Sequence, residues 1–162
     1  MTITTGERLP AAKLMVVGAK GPEPVELEAK LKGRKVVIFA VPGAFTPTCH
    51  SAHVPSFLRV KDKLAAKGVD EVICVAVNDP WVMQAWGEAT GASAGGITML
   101  SDASGAFTKA IGMDFDAPPV GFSGRSKRYA MLVEDGVVKV FNIEQASGTC
   151  ELSGGEAMLD AL

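Results

Sequence analysis

The sequence predicts an α/β domain in which a mixed β-sheet carries helices on both faces. Two short apolar runs rich in β-branched residues, 36–41 and 71–77, are each followed by a helical pattern, which is typical of parallel strand-helix units. Two further strands, Tyr129–Glu134 and Val137–Ile143, are joined by a two-residue turn, which predicts an antiparallel hairpin. The chain has 162 residues and is 48% hydrophobic, so it suits a single domain, residues 1–162, with its own core.

The first 33 residues predict three short elements ahead of the central strand. Residues 14–17 are apolar and predict a strand. The sequence Gly21-Pro22-Glu23-Pro24 predicts a turn, because glycine and proline both favour turns. Residues 27–31 predict a short helix.

The central strand and the turn after it organise the chain. The unbroken apolar run 36–41 predicts a strand that is covered on both faces of the sheet, and Pro42-Gly43 ends it. Thr46 then supplies an N-cap hydroxyl, and Pro47 suits the first helical position, where its missing N–H costs nothing. A helix therefore begins here, with Cys49 in its first turn.

This helix is expected to continue to Lys67 and to stop at Gly68, since apolar residues recur at helical spacing up to that point. Pro55 is expected to kink the helix, because proline removes one intrahelical hydrogen bond.

The middle of the chain continues the alternation of strands and helices. After the strand 71–77, Asp79 as N-cap and Pro80 at the first position predict a helix that ends at Gly91. Residues 97–100 predict a short strand, and residues 101–112 predict a further helix. Residues 113–127, which contain two adjacent prolines and two glycines, predict a loop.

The last part of the chain predicts a hairpin and a helix. Asp135-Gly136 is a strong signal for a two-residue hairpin turn between the two strands there. Ser153 and Glu156 have the spacing of a capping box and predict a C-terminal helix after them. This order of elements, with a cysteine just after the first core strand, is the thioredoxin-like arrangement, in which the reactive crevice lies at the carboxyl ends of the parallel strands.

The position of Cys49 favours a reactive thiol. A helix end contributes about 0.3–1 kcal/mol to an anion, whereas full ionisation of a cysteine at neutral pH takes roughly 3.4 kcal/mol. The site therefore requires a nearby cation, and Thr46 is the first candidate donor to the reacting atoms. A lone cysteine that begins a helix is nevertheless more often inert than catalytic.

Composition argues against several other classes of function. The net charge of −2 and the absence of a basic run give no general attraction for nucleic acid or for an anionic membrane. The first residues lack the pattern of a signal peptide, and three scattered cysteines do not suit a disulfide scaffold. We therefore expect a cytoplasmic protein with reduced or redox-active thiols.

The segment from Pro42 to Cys49, PGAFTPTC, fits the P-x-x-x-T-x-x-C motif of the peroxiredoxins, and its surroundings resemble the type II, or peroxiredoxin-5, subfamily. The likeness extends to CVAVNDPWVMQAW at 74–86 and to RSKRYAMLVEDGVVKVFNIE at 125–144, so it covers nearly the whole chain. The resemblance implies a thioredoxin-like fold and a thiol-dependent peroxidase that reduces hydrogen peroxide and alkyl hydroperoxides without a metal, flavin or haem.

The resemblance also implies roles for particular residues. Cys49 matches the peroxidatic cysteine, which becomes a sulfenic acid, and Thr46 matches the threonine that bonds peroxide and thiolate. Pro42 matches the proline that shields the site, and Arg128 matches the arginine that contacts thiolate and peroxide. His53 matches a histidine that the subfamily carries four residues after the cysteine. Because Arg128 opens an apolar strand where a guanidinium needs a partner, the residues themselves support its placement at the site.

The sequence does not decide which thiol resolves the sulfenic acid. Family members with an internal disulfide carry a resolving cysteine near the position of Cys150, although Cys150 is displaced by about two residues relative to the hairpin and the last helix. Cys74 is the weaker candidate, because its apolar neighbours predict burial. Members without an internal partner are recycled by glutathione and glutaredoxin, or by thioredoxin.

Several alternatives remain beside these interpretations. Cys49, His50 and His53 could form a metal site, although a fourth ligand is not evident and His50 is expected to be solvated. A dithiol oxidoreductase would need a second cysteine where Thr46 stands. A redox sensor or chaperone would use the same Cys49 without turnover.

The remaining expectations concern the surface. The family pairs through surfaces beside the active-site loop, so a homodimer is expected, with Phe45, Trp81 and residues 115–122 as its contacts. Arg125 and Lys127 are either solvated charges or, for Arg125, a group that orients Arg128 or a neighbouring carboxylate.

Overall fold

A seven-stranded mixed β-sheet lies at the centre of the structure, a computed structural model that describes residues 1–146 and 148–162. Its strands are β1 (Lys13–Gly18), β2 (Gly21–Glu26), β3 (Lys35–Val41), β4 (Glu71–Ala76), β5 (Ile97–Ser101), β8 (Tyr129–Glu134) and β9 (Val137–Ile143). They lie in the order β2-β1-β5-β4-β3-β8-β9. A separate two-stranded sheet consists of β6 (Asp114–Ala117) and β7 (Phe122–Ser126).

Helices cover both faces of the large sheet, which confirms the predicted fold class. They are α1 (Leu27–Leu31), α2 (Val54–Ala66), α3 (Pro80–Thr90), α4 (Ala106–Ala110) and α5 (Gly155–Asp160). Apolar residues of α2, α3 and α5 pack on one face, and those of α1 and α4 pack on the other. Because β3 is central, its side chains alternate between two separate cores, with Phe39 in the first and Ile38 in the second.

The helix that carries Cys49 begins at Pro47, as predicted, and reaches Ala66. Its first part contains a π-helical turn, Cys49–His53, in which the N–H of Val54 donates to the carbonyl of Cys49. The expected irregularity at Pro55 thus takes the form of a wide turn directly before the proline. A proline ring clashes with the carbonyl four residues earlier, and an added residue in the turn relieves that conflict.

The predicted turn at 21–24 is wrong, because these residues belong to strand β2. Pro22 pairs with Val17 and Pro24 with Met15 in an antiparallel hairpin. β2 is the edge strand of the sheet, so two residues without an N–H can stand where that group would face solvent.

The loop predicted at 113–127 is also wrong, because it contains the β6-β7 hairpin. Asp114 pairs with Ser126 and Phe115 with Arg125, and a short 3₁₀ turn, Pro118–Val120, joins the strands. An irregularity in the register next to Ala117 obscures the alternation that would have indicated a strand.

The helix predicted at 101–112 is shorter than expected. Ser101 completes β5, and the Asp102 carboxylate accepts hydrogen bonds from the N–H groups of Phe107 and Thr108, at 3.3 and 2.8 Å. The helix α4 therefore begins only at Ala106, with the carboxylate at its N-terminus.

The predictions for Asp79 and for Asp135-Gly136 are confirmed, and the one for Ser153 is wrong. Asp79 caps α3 by accepting from the N–H of Val82 at 2.9 Å, and Asp135-Gly136 has positive φ at both residues, as the hairpin requires. Ser153 does not form the capping box, because its N–H donates to Glu144 and the Glu156 carboxylate pairs with Arg59 instead. The N-cap position belongs to Gly154.

No helix within 1–146 or 148–162 combines the length and the hydropathy that a membrane span needs.

Candidate active site

The register of the sheet brings Arg128 to the turn that follows β3. β8 runs antiparallel to β3, and Ala40, near the end of β3, pairs with Tyr129 at the start of β8. Arg128 directly precedes Tyr129, so it lies beside the Pro42 turn although 79 residues separate it from Cys49. On the other side, the N–H of Glu144 donates to the Arg128 carbonyl at 3.0 Å as β9 ends.

The Cys49 sulfur is buried and lies against the Arg128 guanidinium. Nη2 of Arg128 donates to Sγ of Cys49 at 3.1 Å, and Nη1 lies 3.0 Å from Nδ1 of His53. Cys49 is 0% exposed and Arg128 is 2% exposed. A buried guanidinium requires partners for its charge and its N–H groups, and an anionic sulfur is a suitable one.

His53 is a neutral histidine with a defined tautomer. Arginine can only donate, so Nδ1 of His53 accepts and Nε2 carries the proton, which it donates to the Ser153 carbonyl at 2.9 Å. Burial, followed by the charge of Arg128, lowers the pKa of His53 to about 3. The ring, which packs on Phe39 with centroids 4.8 Å apart, therefore holds the guanidinium without carrying charge.

The Thr46 hydroxyl lies at the N-terminal end of the helix and donates to the Gly43 carbonyl at 2.6 Å, rather than to the Cys49 sulfur. A hydroxyl has one proton and two lone pairs, so in this arrangement Thr46 Oγ1 can accept a hydrogen bond from a peroxide O–H. Pro42 is buried, and its carbonyl accepts from Nη1 of Arg125 at 3.2 Å.

Arg125 is therefore more than a solvated charge. Besides bonding to Pro42, its guanidinium lies over the Phe122 ring, 5.2 Å from the centroid. Lys127 is exposed. Arg125 therefore stabilises the loop before Cys49, whereas Arg128 contacts the sulfur.

The expectation that His50 is solvated is wrong. Its Nδ1 accepts from the indole N–H of Trp86 at 3.1 Å, and its ring lies 6.0 Å from that of Phe45. Phe45 has a positive φ of 65°, which is strained for a residue with a side chain. Both ring nitrogens of His53 and one of His50 have protein partners, and the described residues contain no cluster of three or more metal-binding side chains.

The two other cysteines lie in different surroundings. Cys74 is 0% exposed on β4, and burial raises its pKa well above the ordinary value, so the thiol is held protonated. Cys150 is half-buried, burial raises its pKa as well, and it lines a cavity of about 410 Å³ beside Arg59 and Glu156. All three cysteines are free.

Glu144 and Ser153 are polar residues of the site region that the sequence did not reveal as important. Glu144 is 8% exposed, and its carboxylate accepts from the N–H and the hydroxyl of Ser153, both at 2.6 Å. The one signal was that Glu144 follows an apolar strand, where a carboxylate would be expected to need a partner.

A cysteine set at the start of a helix, behind the central strand of a thioredoxin-like sheet and against a buried guanidinium, defines a thiol-based oxidoreductase. The comparisons with known proteins narrow this class. The family model described as Redoxin matches residues 4–159. Peroxiredoxin-2E-2, chloroplastic, from Oryza sativa subsp. japonica is 46% identical over 165 residues, which cover 99% of this chain and 73% of the relative.

Two solved structures agree. Reduced Prx3 from Vibrio vulnificus in complex with H2O2 is 45% identical, with a TM-score of 0.91 and 99% of both chains covered. Peroxiredoxin 5 from Alvinella pompejana is 33% identical, with a TM-score of 0.84 and coverage of 98% of this chain and 97% of that one. The chain therefore belongs to the redoxin family and is a peroxiredoxin, a thiol-dependent peroxidase.

Proposed function

We propose that Cys49 is the peroxidatic residue and that Arg128, Thr46, Pro42 and His53 complete its site. The observation that carries this proposal is the 3.1 Å contact between Nη2 of Arg128 and the buried Cys49 sulfur. A guanidinium at this distance stabilises the thiolate and the negative charge that develops on the peroxide.

The reaction is a displacement at oxygen. The Cys49 thiolate attacks one oxygen of ROOH, an S–O bond forms, and the O–O bond breaks. The leaving oxygen takes up a proton and departs as water or alcohol, while Cys49 becomes a sulfenic acid. Arg128 remains beside sulfur and the departing oxygen, and the Thr46 oxygen accepts from the peroxide O–H.

The proposed resolving thiol is Cys150. It is half-buried, and it lies in a segment that is bonded to the helix of Cys49, since the Thr48 hydroxyl donates to the Gly148 carbonyl at 2.9 Å. Cys74 is disfavoured, because it is fully buried on a β-strand and its thiol is held protonated.

An external thiol completes the cycle, supplied by glutathione with glutaredoxin or by thioredoxin. The 410 Å³ cavity beside Cys150 gives such a thiol access to that sulfur, whereas the Cys49 sulfur is fully covered. In the internal disulfide, attack on Cys150 releases Cys49 as a thiolate next to Arg128, which makes Cys49 the better leaving group.

The most direct test is intact mass after one equivalent of hydrogen peroxide. A loss of two hydrogens that disappears in Cys150→Ser is the expected result. A gain of one oxygen, or a glutathione adduct when glutathione is present, would instead assign recycling to an external thiol alone.

Steady-state peroxide consumption with each reductant system separates an enzyme from a redox sensor, and many turnovers per chain are expected. A protein that stops after one equivalent with glutathione, glutaredoxin and thioredoxin all supplied would overturn the catalytic assignment of Cys49.

A homodimer is part of the proposal. Phe45, Trp81 and Val120 are 51%, 59% and 67% exposed, and the burial of such apolar side chains between two copies would favour association. Sedimentation equilibrium of Trp81→Glu against the native chain tests this, and an unchanged molar mass would remove Trp81 from the interface.

A cytoplasmic location is also proposed, because all three cysteines are free, as suits a reducing compartment. Fractionation of the source cells with an antibody against the chain tests the location.

A further inference from the structure

The Glu144 carboxylate lies inside the loop that carries Cys150. We call residues 148–153 the Cys150 segment. Oε2 of Glu144 accepts from the N–H and the hydroxyl of Ser153, both at 2.6 Å. The Thr149 hydroxyl shares its one proton between Oε1 of Glu144, at 3.2 Å, and the Ala146 carbonyl, at 3.0 Å. Since Thr149 and Ser153 stand on either side of Cys150, one carboxylate ties both flanks of the resolving thiol.

These bonds hold an ionised carboxylate. Burial acts to raise the pKa of Glu144, but the hydrogen bonds from Ser153, together with those from Glu151 and Thr149, outweigh it and keep the pKa below its usual value. Hydrogen bonds to a charged acceptor are stronger than those between neutral groups. Hydrogen bonds to an ionised carboxylate therefore hold the Cys150 segment in place, rather than apolar packing.

The same segment is bonded to the helix that carries Cys49. Nε2 of His53 donates to the Ser153 carbonyl at 2.9 Å, and the Thr48 hydroxyl donates to Gly148 at 2.9 Å. A continuous series of hydrogen bonds thus connects the Cys150 segment to the Cys49 sulfur. It passes from Glu144 through Ser153 and His53 to Arg128.

Formation of a disulfide conflicts with this closed arrangement. A disulfide requires the two sulfurs at about 2.05 Å and a narrow range of backbone separations. In the structure both thiols are free, the Cys49 sulfur contacts Arg128 and is fully buried, and Cys150 faces the cavity next to Arg59. The two sulfurs therefore have to approach each other before the bond can form, and the hydrogen bonds of the segment oppose that movement.

We propose that Glu144 is a positioning residue that keeps the Cys150 segment closed in the reduced protein, and that release of its hydrogen bonds limits resolution. The inference rests on the proposed resolving role of Cys150. In the step concerned, the Cys150 thiolate attacks the Cys49 sulfenic sulfur, an S–S bond forms and the S–O bond breaks. The hydroxide that leaves combines with the proton lost from Cys150 to give water.

The test is Glu144→Gln, which keeps the size of the side chain but turns one of its acceptors into a donor. The amide is neutral, so its oxygen is a weaker acceptor than the carboxylate for the N–H and the hydroxyl of Ser153, and the bonds around Cys150 weaken. After rapid mixing with one equivalent of hydrogen peroxide, the rate of disulfide formation should rise about tenfold, which corresponds to the loss of one charged hydrogen bond. Alkylation of Cys150 in the reduced protein should rise in parallel, and the rate of sulfenate formation is measured separately in the same experiment.

Matched variants separate release of the segment from a change in local charge. Glu151→Gln removes a charge from an exposed side chain of the same segment and should leave the disulfide rate unchanged. Glu144→Asp keeps the charge on a shorter side chain and should fall between the native chain and Glu144→Gln. Ser153→Ala should accelerate the disulfide less than Glu144→Gln, and it should add nothing in the Glu144→Gln background.

An unchanged or slower disulfide rate in both Glu144→Gln and Ser153→Ala would overturn the inference. Native protein that never forms the disulfide would overturn it as well, together with the resolving role of Cys150. Sulfenate formation at Cys49, followed in the same experiment, would still stand in either case, so failure of the peroxidatic assignment is seen separately.

Discussion

The Cys49 and Cys150 thiols are held in place by different kinds of interaction. Cys49 lies between the central strand β3 and its helix, with no exposed surface, and its polar contact is a buried guanidinium. Cys150 lies half-exposed in a loop that hydrogen bonds to Glu144 and His53 hold in place. The first thiol is fixed by packing, and the second by hydrogen bonds to the segment that carries it.

This difference matches what each thiol has to do. Attack on a peroxide needs a preorganised sulfur, because donors are effective only when they are already aimed at the charge that develops. Resolution needs movement, because two separated sulfurs have to come into bonding distance. Substitutions test this difference between the two thiols, and the largest effect is expected at Cys49.

Cys49→Ser should abolish the peroxidase reaction, with a loss of about 1,000-fold or more in peroxide consumption, because a hydroxyl in place of the thiolate cannot form the sulfenic acid. Cys74→Ser is the matched control, since it removes an equally buried thiol from the same core and should leave the first turnover intact. Substantial activity in Cys49→Ser would refute the peroxidatic assignment.

Arg128→Ala should slow sulfenate formation by about 100-fold, the usual effect of losing one donor aimed at the transition state. The rate is measured by stopped-flow mixing of reduced protein with hydrogen peroxide. Arg59→Ala removes a guanidinium from the exposed ion pair with Glu156 and should leave this rate unchanged. Equal rates in the two variants would remove Arg128 from the chemistry.

His53 should make the folded state less stable in acid. The unfolded chain binds a proton at this histidine below its ordinary pKa of 6.5, whereas the folded chain does so only near 3, so the unfolding free energy falls as the pH drops through this window. The slope is about 1.4 kcal/mol per pH unit for a single group.

The measurement is urea unfolding of the native chain and of His53→Asn, whose amide oxygen can still accept from Arg128. Subtraction of the two curves cancels the carboxylates that both proteins share, including Glu144. His53→Asn should show the flatter dependence between pH 6.5 and 3, and parallel curves would contradict a neutral buried ring.

Ser56→Ala should give the smallest effect, a loss of about 1 kcal/mol or a fall in Tm of about 2–4 °C. The Ser56 hydroxyl accepts from the Gly155 N–H at 2.9 Å and donates to the His53 carbonyl at 2.6 Å, so it anchors α5 behind the Cys150 segment. Ser51→Ala removes an exposed hydroxyl that donates to the Pro47 carbonyl and should hardly change Tm. Equal Tm values for the two variants would show that the anchor contributes nothing.

The same contrast explains what the sequence could predict. The Cys49 side follows from local signals, because an apolar run, Pro47 in the first helical turn and the motif around Thr46 all act over a few residues. Arg128 could be placed through the family resemblance and through its position ahead of an apolar strand. The fold class followed from the order of strands and helices.

The Cys150 side depends on contacts between distant residues, so its local signals misled. Ser153 has the spacing of a capping box, but its N–H, which Glu156 would accept from in that motif, donates instead to Glu144, nine residues earlier. The expectation that His50 is solvated failed for the same reason, since its partner Trp86 lies on another helix. The hydrogen-bond partners of Ser153 and His50 are set by tertiary contacts, and a short sequence pattern does not contain that information.

The prolines of β2 also limit how this peroxiredoxin can associate. Pro22 and Pro24 stand on the outermost strand of the large sheet, and a strand from a second molecule would meet closed rings where it needs N–H donors. That border of the sheet is thereby protected against strand addition and against fibre-like stacking. The opposite border, at β9, is covered in part by the chain itself, since the N–H of Gly6 donates to the Val138 carbonyl at 2.8 Å and the N–H of Val138 donates to the Glu7 carbonyl at 2.9 Å.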